Sequence, residues 1–186
     1  MELMPAMRMG WLNGWILVCL LFLTYGIVLK LFPKEVVARL YDKSGRGRRD
    51  KAMICVGAVL AAAYFLLIIV TPLKLGSGVL VAGLAVYVLG LAGFLTALIQ
   101  FRNTPPGEPV TGGLYRLSRH PQQLSFFVIF LGVSIAVGSW LVLLIQAVSA
   151  LFLHARVLAE ERACLQRYGD SYRSYMKRVP RYLLFY

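Results

Sequence analysis

The chain has 186 residues, 59% of them hydrophobic, and a mean hydropathy of +0.71. A soluble domain of that length has no interior large enough to hide so much apolar side chain, so lipid must serve as part of the solvent. The net charge of +12 does not point to nucleic acid: Lys and Arg gather at the ends of apolar runs, where they serve topology and anionic headgroups, and no finger spacing or RNP-like motif accompanies them.

A membrane-spanning helix needs about 20 mostly apolar residues. The first such run extends from about Trp11 to Phe32. It is long for a signal peptide and lacks a small-residue cleavage site after it, so it is read as a retained helix. A polar stretch follows from Pro33 to Lys51, with a short interfacial helix expected near Glu35 to Tyr41. A basic cluster of Lys43, Arg46, Arg48, Arg49 and Lys51 comes next, interrupted by Gly45 and Gly47. The second span covers about Ala52 to Leu73 and the third about Val79 to Gln100. The turn between them is short, which makes them antiparallel neighbours. Tyr64 and Phe65 read as lipid-facing or core aromatics, and Gly83, Gly90 and Gly93 as sites of close helix packing.

The segment Phe101 to Pro121 carries Pro105, Pro106, Gly107, Pro109, Gly112 and Gly113, and cannot be a regular helix. Pro121 suits the first turn of the next helix, where a missing N–H costs nothing. The fourth span, Gln122 to Val137, and the fifth, Trp140 to about Leu158, are near the lower length limit. They should form a tight hairpin through Gly138-Ser139 that does not rise far above the far leaflet. The tail from Ala159 to Tyr186 is amphipathic and basic. Cys19 and Cys55 lie in apolar runs and are expected to be buried; no CxxC or Cys/His cluster exists, so no protein-bound metal is expected. His154 reads as a snorkelling or hydrogen-bonded residue.

The expected fold class is all-α: one multi-pass transmembrane bundle over residues 1–186. Five spans put the two chain ends on opposite sides. One side then holds eighteen of the twenty Lys and Arg residues and the other only Arg8 and Lys74. The positive-inside rule places the C-terminus and the 33–51 and 101–121 loops in the cytoplasm. A cytoplasmic pocket is expected between the loop before span four and the C-terminal tail.

Two polar constellations fall on that face. The first runs Gly112-Gly113-Leu114-Tyr115-Arg116-Leu117-Ser118-Arg119-His120-Pro121. Adjacent glycines allow close backbone approach, and Arg119 and His120 stand before a helix N-terminus carrying partial positive charge. Together these suit a carboxylate. An interfacial loop, with Arg119 on lipid phosphate and His120 capping the helix, explains the same residues. The second constellation is Arg156-Val157-Leu158-Ala159-Glu160-Glu161-Arg162, followed by Tyr168-Gly169-Asp170-Ser171-Tyr172 and Tyr175. Arg156 and Glu160 share one helix face. An intrahelical pair with a solvated Glu161 competes there with a ligand site.

In this order, Gly-x-Tyr-x-x-x-Arg-His-Pro, a hairpin of two short spans, Arg-x-x-x-Glu-Glu and Tyr-Gly-x-x-Tyr-x-x-Tyr, the motifs resemble the isoprenylcysteine carboxyl methyltransferase family, whose relatives include the phospholipid N-methyltransferases. The resemblance covers about residues 100–186; the first hundred residues show nothing diagnostic beyond spans. It implies S-adenosylmethionine as cofactor, held by the positions matching Val110, Gly113, Tyr115, Arg119, His120, Pro121, Gln122 and Glu160, with Glu161 completing the paired acids. It places Arg156 at the methyl acceptor as the catalytic group. The implied partners are membrane lipids and an amphipathic acceptor, such as an isoprenylcysteine-type carboxylate or a lipid head group. Gln123 and Ser125 depart from the family's usual Tyr and Gly, and Gly107 stands where a His is common; these changes are expected around the cofactor and acceptor mouth. Arg178-Val179-Pro180-Arg181 is a family-like ending that should pack beside the site. A membrane reductase using a nicotinamide cofactor and a non-catalytic protein of the same fold are the alternatives.

Overall fold

The computed structural model describes residues 1–3, 7–41 and 48–183, with the side chains of 48–51 left out. Lys43, Gly45, Arg46 and Gly47 of the basic cluster, and the side chains of Arg48, Arg49 and Lys51, therefore lie outside the described residues. The helices are α1 (Trp15–Lys30), α2 (Lys34–Leu40), α3 (Arg48–Val70), α4 (Gly78–Asn103), α5 (Pro121–Val137), α6 (Trp140–Tyr168) and α7 (Asp170–Arg178), with a 3₁₀ turn at Gly113–Arg116. Three are long and apolar enough to cross a membrane: α3 over Ala52–Val70, α4 and α6. The apolar helices α1 and α5 are shorter, at 16 and 17 residues. The fold is an all-helical membrane bundle, and α2 is the short helix expected after the first span.

At the centre stands α5. It is apolar on every side, the pattern of a helix surrounded by protein, and none of its residues is exposed. The helices α1, α3, α4 and α6 instead turn large apolar side chains outward, among them Leu23, Leu66, Leu89 and Leu151. Glycines bring α4 and α5 together. A side-chain carbon at Gly90 would lie 2.6 Å from the Ile129 nitrogen, and Gly83 and Gly132 face the backbones of Ala136 and Tyr87. This is the close packing expected of the α4 glycines. Gly93 makes room for the Ser125 hydroxyl, which would lie 2.7 Å from a Cβ there. Ser125 therefore belongs to the α4–α5 interface and not to a mouth. Tyr64 is a core residue; its hydroxyl donates to the Phe130 carbonyl at 2.9 Å. From Phe130 a series of tilted and edge-on rings continues through Phe126 and Phe94 to Tyr25.

Two expectations are corrected. The fifth apolar run does not end its helix near Leu158. The helix α6 continues to Tyr168 as one element of 29 residues, about 43 Å long. Residues 159–167 are nearly all good helix formers, and the first breaker is Gly169. Cys19 and Cys55 are not buried but lie exposed on the outside of the bundle.

Main-chain hydrogen bonds close one end of the bundle. The Glu2 N–H donates to Gly138 O (2.8 Å), Trp140 N–H to Glu2 O (3.0 Å), Leu73 N–H to Leu12 O (2.9 Å) and Lys74 N–H to Ala136 O (3.1 Å). Buried Asn13 donates from Nδ2 to Arg8 O and Ile69 O, both at 2.7 Å. The hairpin turns here at Gly138, whose φ of +67° favours glycine. Both α4 and α6 start at this end, capped by Ser77 and Ser139, and run to the opposite end, where both constellations lie.

Candidate active site

The chain leaves α4 and returns to the bundle through the 3₁₀ turn. Gly113 has a φ of +58°, and a Cβ there would strike the Gln100 carboxamide. That carboxamide accepts from the Leu114 N–H at 2.8 Å, so the glycine lets the loop dock on α4. The next residues are tied to the tail: Arg119 N–H donates to Pro180 O at 3.0 Å, and the Ser118 hydroxyl to Arg181 O at 2.8 Å. The 178–181 ending thus packs beside the site. His120 is the residue before α5, with Pro121 in the first turn as expected.

Beneath this junction lies a buried ion cluster. Glu161, 4% exposed, accepts from Arg119 Nη1 at 2.7 Å and from Arg181 Nη2 at 2.8 Å. His120 Nε2 is 3.3 Å from the same carboxylate. Three cationic or imidazole groups around one carboxylate make its burial affordable. One polar atom is left over: Arg119 Nε is buried and has no hydrogen-bond partner among the described residues. On the preceding position of α6, Glu160 is half-exposed; its Oε2 accepts from Gln123 Nε2 at 2.9 Å and lies 3.8 Å from His120 Nδ1. The intrahelical pair between Arg156 and Glu160 does not form, and Glu161 is not solvated.

A cavity of about 370 Å³ opens above the cluster, within the range of small-molecule sites. Of the residues singled out from sequence, Val110, Tyr115, Arg119, His120, Pro121, Gln122, Arg156 and Glu160 are on its wall. Gly113 and Glu161 are not: one docks the loop and the other lies beneath Arg119. Gln123 is on the wall, whereas Gly107 has open space around it and does not line the cavity. His154 does not line it either; its Nδ1 meets the Tyr182 hydroxyl at 3.0 Å.

One wall is tyrosine. Tyr175 donates to Tyr115 O at 2.6 Å, and Gln122 Nε2 donates to the Tyr115 hydroxyl oxygen at 3.0 Å, leaving that hydroxyl's proton available. Burial pushes the Tyr115, Tyr172 and Tyr175 phenols well above their ordinary range, so all three remain neutral donors. A further part of the lining comes from residues that the apolar runs and motifs do not single out: Tyr25 of α1, and Arg39, Leu40 and Tyr41 at the end of α2. The Tyr25 and Tyr41 hydroxyls are 2.9 Å apart. Phe94 and Phe126, from the aromatic series, also line the cavity. The site can therefore receive a carboxylate at Arg119 and the N-terminus of α5, a cationic or hydroxyl-bearing group at Glu160, and apolar surface against its rings.

The sequence profile of the phospholipid methyltransferase family matches residues 66–171, more than half of the chain. The chain is also 38% identical over 72 residues to the protein-S-isoprenylcysteine O-methyltransferase of Schizosaccharomyces pombe, a stretch covering 38% of this chain and 30% of that protein. It is 33% identical over 90 residues to methanethiol S-methyltransferase 1 of Bradyrhizobium diazoefficiens, covering 48% of this chain and 30% of that protein. The matched stretches thus span under a third of each relative.

Proposed function

The chain belongs to the phospholipid methyltransferase family, and on that premise we propose that it is an integral membrane methyltransferase that uses S-adenosylmethionine and an amphipathic acceptor, such as an isoprenylcysteine-type carboxylate or a lipid head group. The observation that carries this reading is the meeting of Arg119 and His120, before α5, with Glu160 of α6 on one cavity wall. The residues fit the cofactor. The orphaned, buried Arg119 Nε and the free N–H groups of Gln122 and Gln123 are donors for its carboxylate. Glu160, steadied by Gln123, faces its ammonium or ribose hydroxyls. Val110 and Tyr115 supply a dry flank, Pro121 shapes the helix start, and Glu161 holds Arg119 and His120 in place from below.

The bound cofactor would supply an electrophilic methyl group on a sulfonium. The protein's part is to position and to exclude water, which suits an in-line displacement. Arg156, on the wall and without an ion pair among the described residues, presents its fork to an anionic acceptor. A carboxylate acceptor needs no general base. The relatives carry the names of an O- and an S-methyltransferase, and a carboxylate or thiolate would suit the same arginine.

The test is a calorimetric titration with S-adenosylhomocysteine in detergent. Glu160→Gln keeps the shape and removes the charge, so affinity should fall by roughly 1.5–3 kcal/mol. Unchanged affinity in the folded variant removes Glu160 from the site. The 18-to-2 division of Lys and Arg supports five crossings with the cavity in the cytoplasm. A single cysteine at Ser77, in a cysteine-free variant, should react with an impermeant reagent on intact cells. Protection of that position until the cells are opened would reverse the orientation.

A further inference from the structure

The segment over the cavity, residues 104–112, leaves the end of α4 and has little structure of its own. Thr104 ties it to the last turn of α4, N–H to Phe101 O at 3.3 Å and hydroxyl to Gln100 O at 2.9 Å, and among the described residues it carries one hydrogen bond of its own, Glu108 N–H to Pro105 O at 3.4 Å. Three prolines remove donors from it. One side chain from elsewhere gathers it in. Arg39, on the last turn of α2, donates from Nη1 to Thr104 O (3.1 Å) and Pro105 O (3.2 Å), and from Nη2 to Glu108 O (2.8 Å). Its guanidinium carbon also lies 4.7 Å from the centre of the Phe101 ring.

Three carbonyls within five residues converge on one planar group, and Pro109 and Val110, the next residues, are on the cavity wall. Arg39 is half-buried and stands between two hollows: the cavity itself and a groove of about 660 Å³ bounded by α2 and residues 102–106. A solvated loop arginine would not hold four partners at once. A lysine could not either, since its ammonium is a point donor without the rigid fork.

We infer that Arg39 is a positioning residue of the methyl-transfer site, holding residues 104–110 as a roof over the cofactor end of the cavity. This rests on the S-adenosylmethionine reading above, but on a helix outside the family-matched stretch 66–171. Arg39 touches the roof and not the reacting atoms, so it should govern how long a cofactor stays. Once the fork is lost, the roof opens more often and a bound ligand escapes faster, while arrival is little changed.

The experiment measures S-adenosylhomocysteine binding kinetics to the full chain in detergent, together with hydrogen exchange over residues 104–112, for wild type, Arg39→Lys and Arg39→Ala. Arg39→Lys keeps the charge, so a loss there reports the fork and not the field. Both variants should release the ligand about five- to twentyfold faster, as expected for charge-assisted hydrogen bonds at a partly exposed site. Association should change by less than about twofold. Exchange should quicken over 104–112 and nowhere else, and saturating ligand should restore protection. Wild-type release and exchange in Arg39→Ala overturn the inference, as does wild-type behaviour in Arg39→Lys, which would leave only a charge effect. Quickened exchange throughout the bundle also overturns it, by making Arg39 a general stability residue. Failure of the wild type itself to bind S-adenosylhomocysteine overturns the parent reading instead.

Discussion

The two ends of the bundle are closed by different means. At the Gly138 end, main-chain hydrogen bonds, Asn13 and the Glu2–Lys74 ion pair join the N-terminal segment to two interhelical turns, and a further main-chain bond joins the α3–α4 turn to the end of α5. At the cavity end the closure is by side chains: Glu161 gathers Arg119, Arg181 and His120, Arg39 gathers the roof, and Tyr175 holds Tyr115. Main-chain seals tolerate most substitutions because every residue but proline supplies the same groups. Side-chain seals depend on particular residues. The difference teaches where selection for chemistry has room to act: at one end mostly main-chain groups close the fold, and at the other the residues that close it also shape the site.

The largest expected effect tests the side-chain end. Glu161→Ala would leave buried Arg119 and partly exposed Arg181 without their carboxylate, at a cost of about 3–5 kcal/mol. Thermal unfolding in detergent should show a marked drop in midpoint, with weaker S-adenosylhomocysteine binding. A midpoint equal to wild type would mean that the cluster is solvated and that the two ends do not differ as described. Next is Arg156→Lys, which keeps charge but loses the two-point fork. Its kcat/KM for methyl transfer should fall by about one to two orders of magnitude, roughly 1.4–2.7 kcal/mol, with cofactor affinity near normal. A parallel collapse of cofactor affinity would make Arg156 support for Glu160 and not an acceptor contact. The smallest effect belongs to the main-chain end. Asn13→Ala removes two buried hydrogen bonds and should lower stability by about 1–2 kcal/mol, leaving ligand affinity unchanged. A change in that affinity would show the ends to be coupled.

The helices were legible because apolar runs of sufficient length have few other uses, and Pro121 in the first turn of α5 is a local signal; the Ser77 and Ser139 caps were not singled out. The cavity was half legible. Its motif wall, Val110 to Gln122 and Arg156 to Glu160, is carried by short-range patterns. Its other wall was not. Arg39 falls in the short interfacial helix expected near Glu35 to Tyr41 and is not singled out there, because nothing near it in sequence shows that Thr104, Pro105 and Glu108 lie within reach. Glu161 and Arg119, each read as facing a ligand, bond to one another across 42 positions, a pairing only the fold creates. Gln123 could be seen as a departure from the family's usual residue, but its hydrogen bond to Glu160 appears only when α5 and α6 are placed side by side. The outward position of Cys19 and Cys55 was missed for a related reason: in a lipid-facing helix, apolar context does not separate inside from outside.

No residue of α5 is exposed and most of its second half is buried, so lipid has little hold on the helix that begins at Pro121. Bilayers differ in thickness by several ångströms between cell membranes, and exposed helices answer by tilting or by thinning the surrounding lipid. In this protein that adjustment falls on α1, α3, α4 and α6, which carry the outward apolar side chains. The central helix is jacketed from hydrophobic mismatch, and its length of 17 residues is set by its neighbours and not by the hydrocarbon slab. His120, Gln122 and Gln123 thereby keep their depth relative to Phe94, Tyr115 and Glu160 through packing alone, and the same site could be carried unchanged into membranes of unequal thickness.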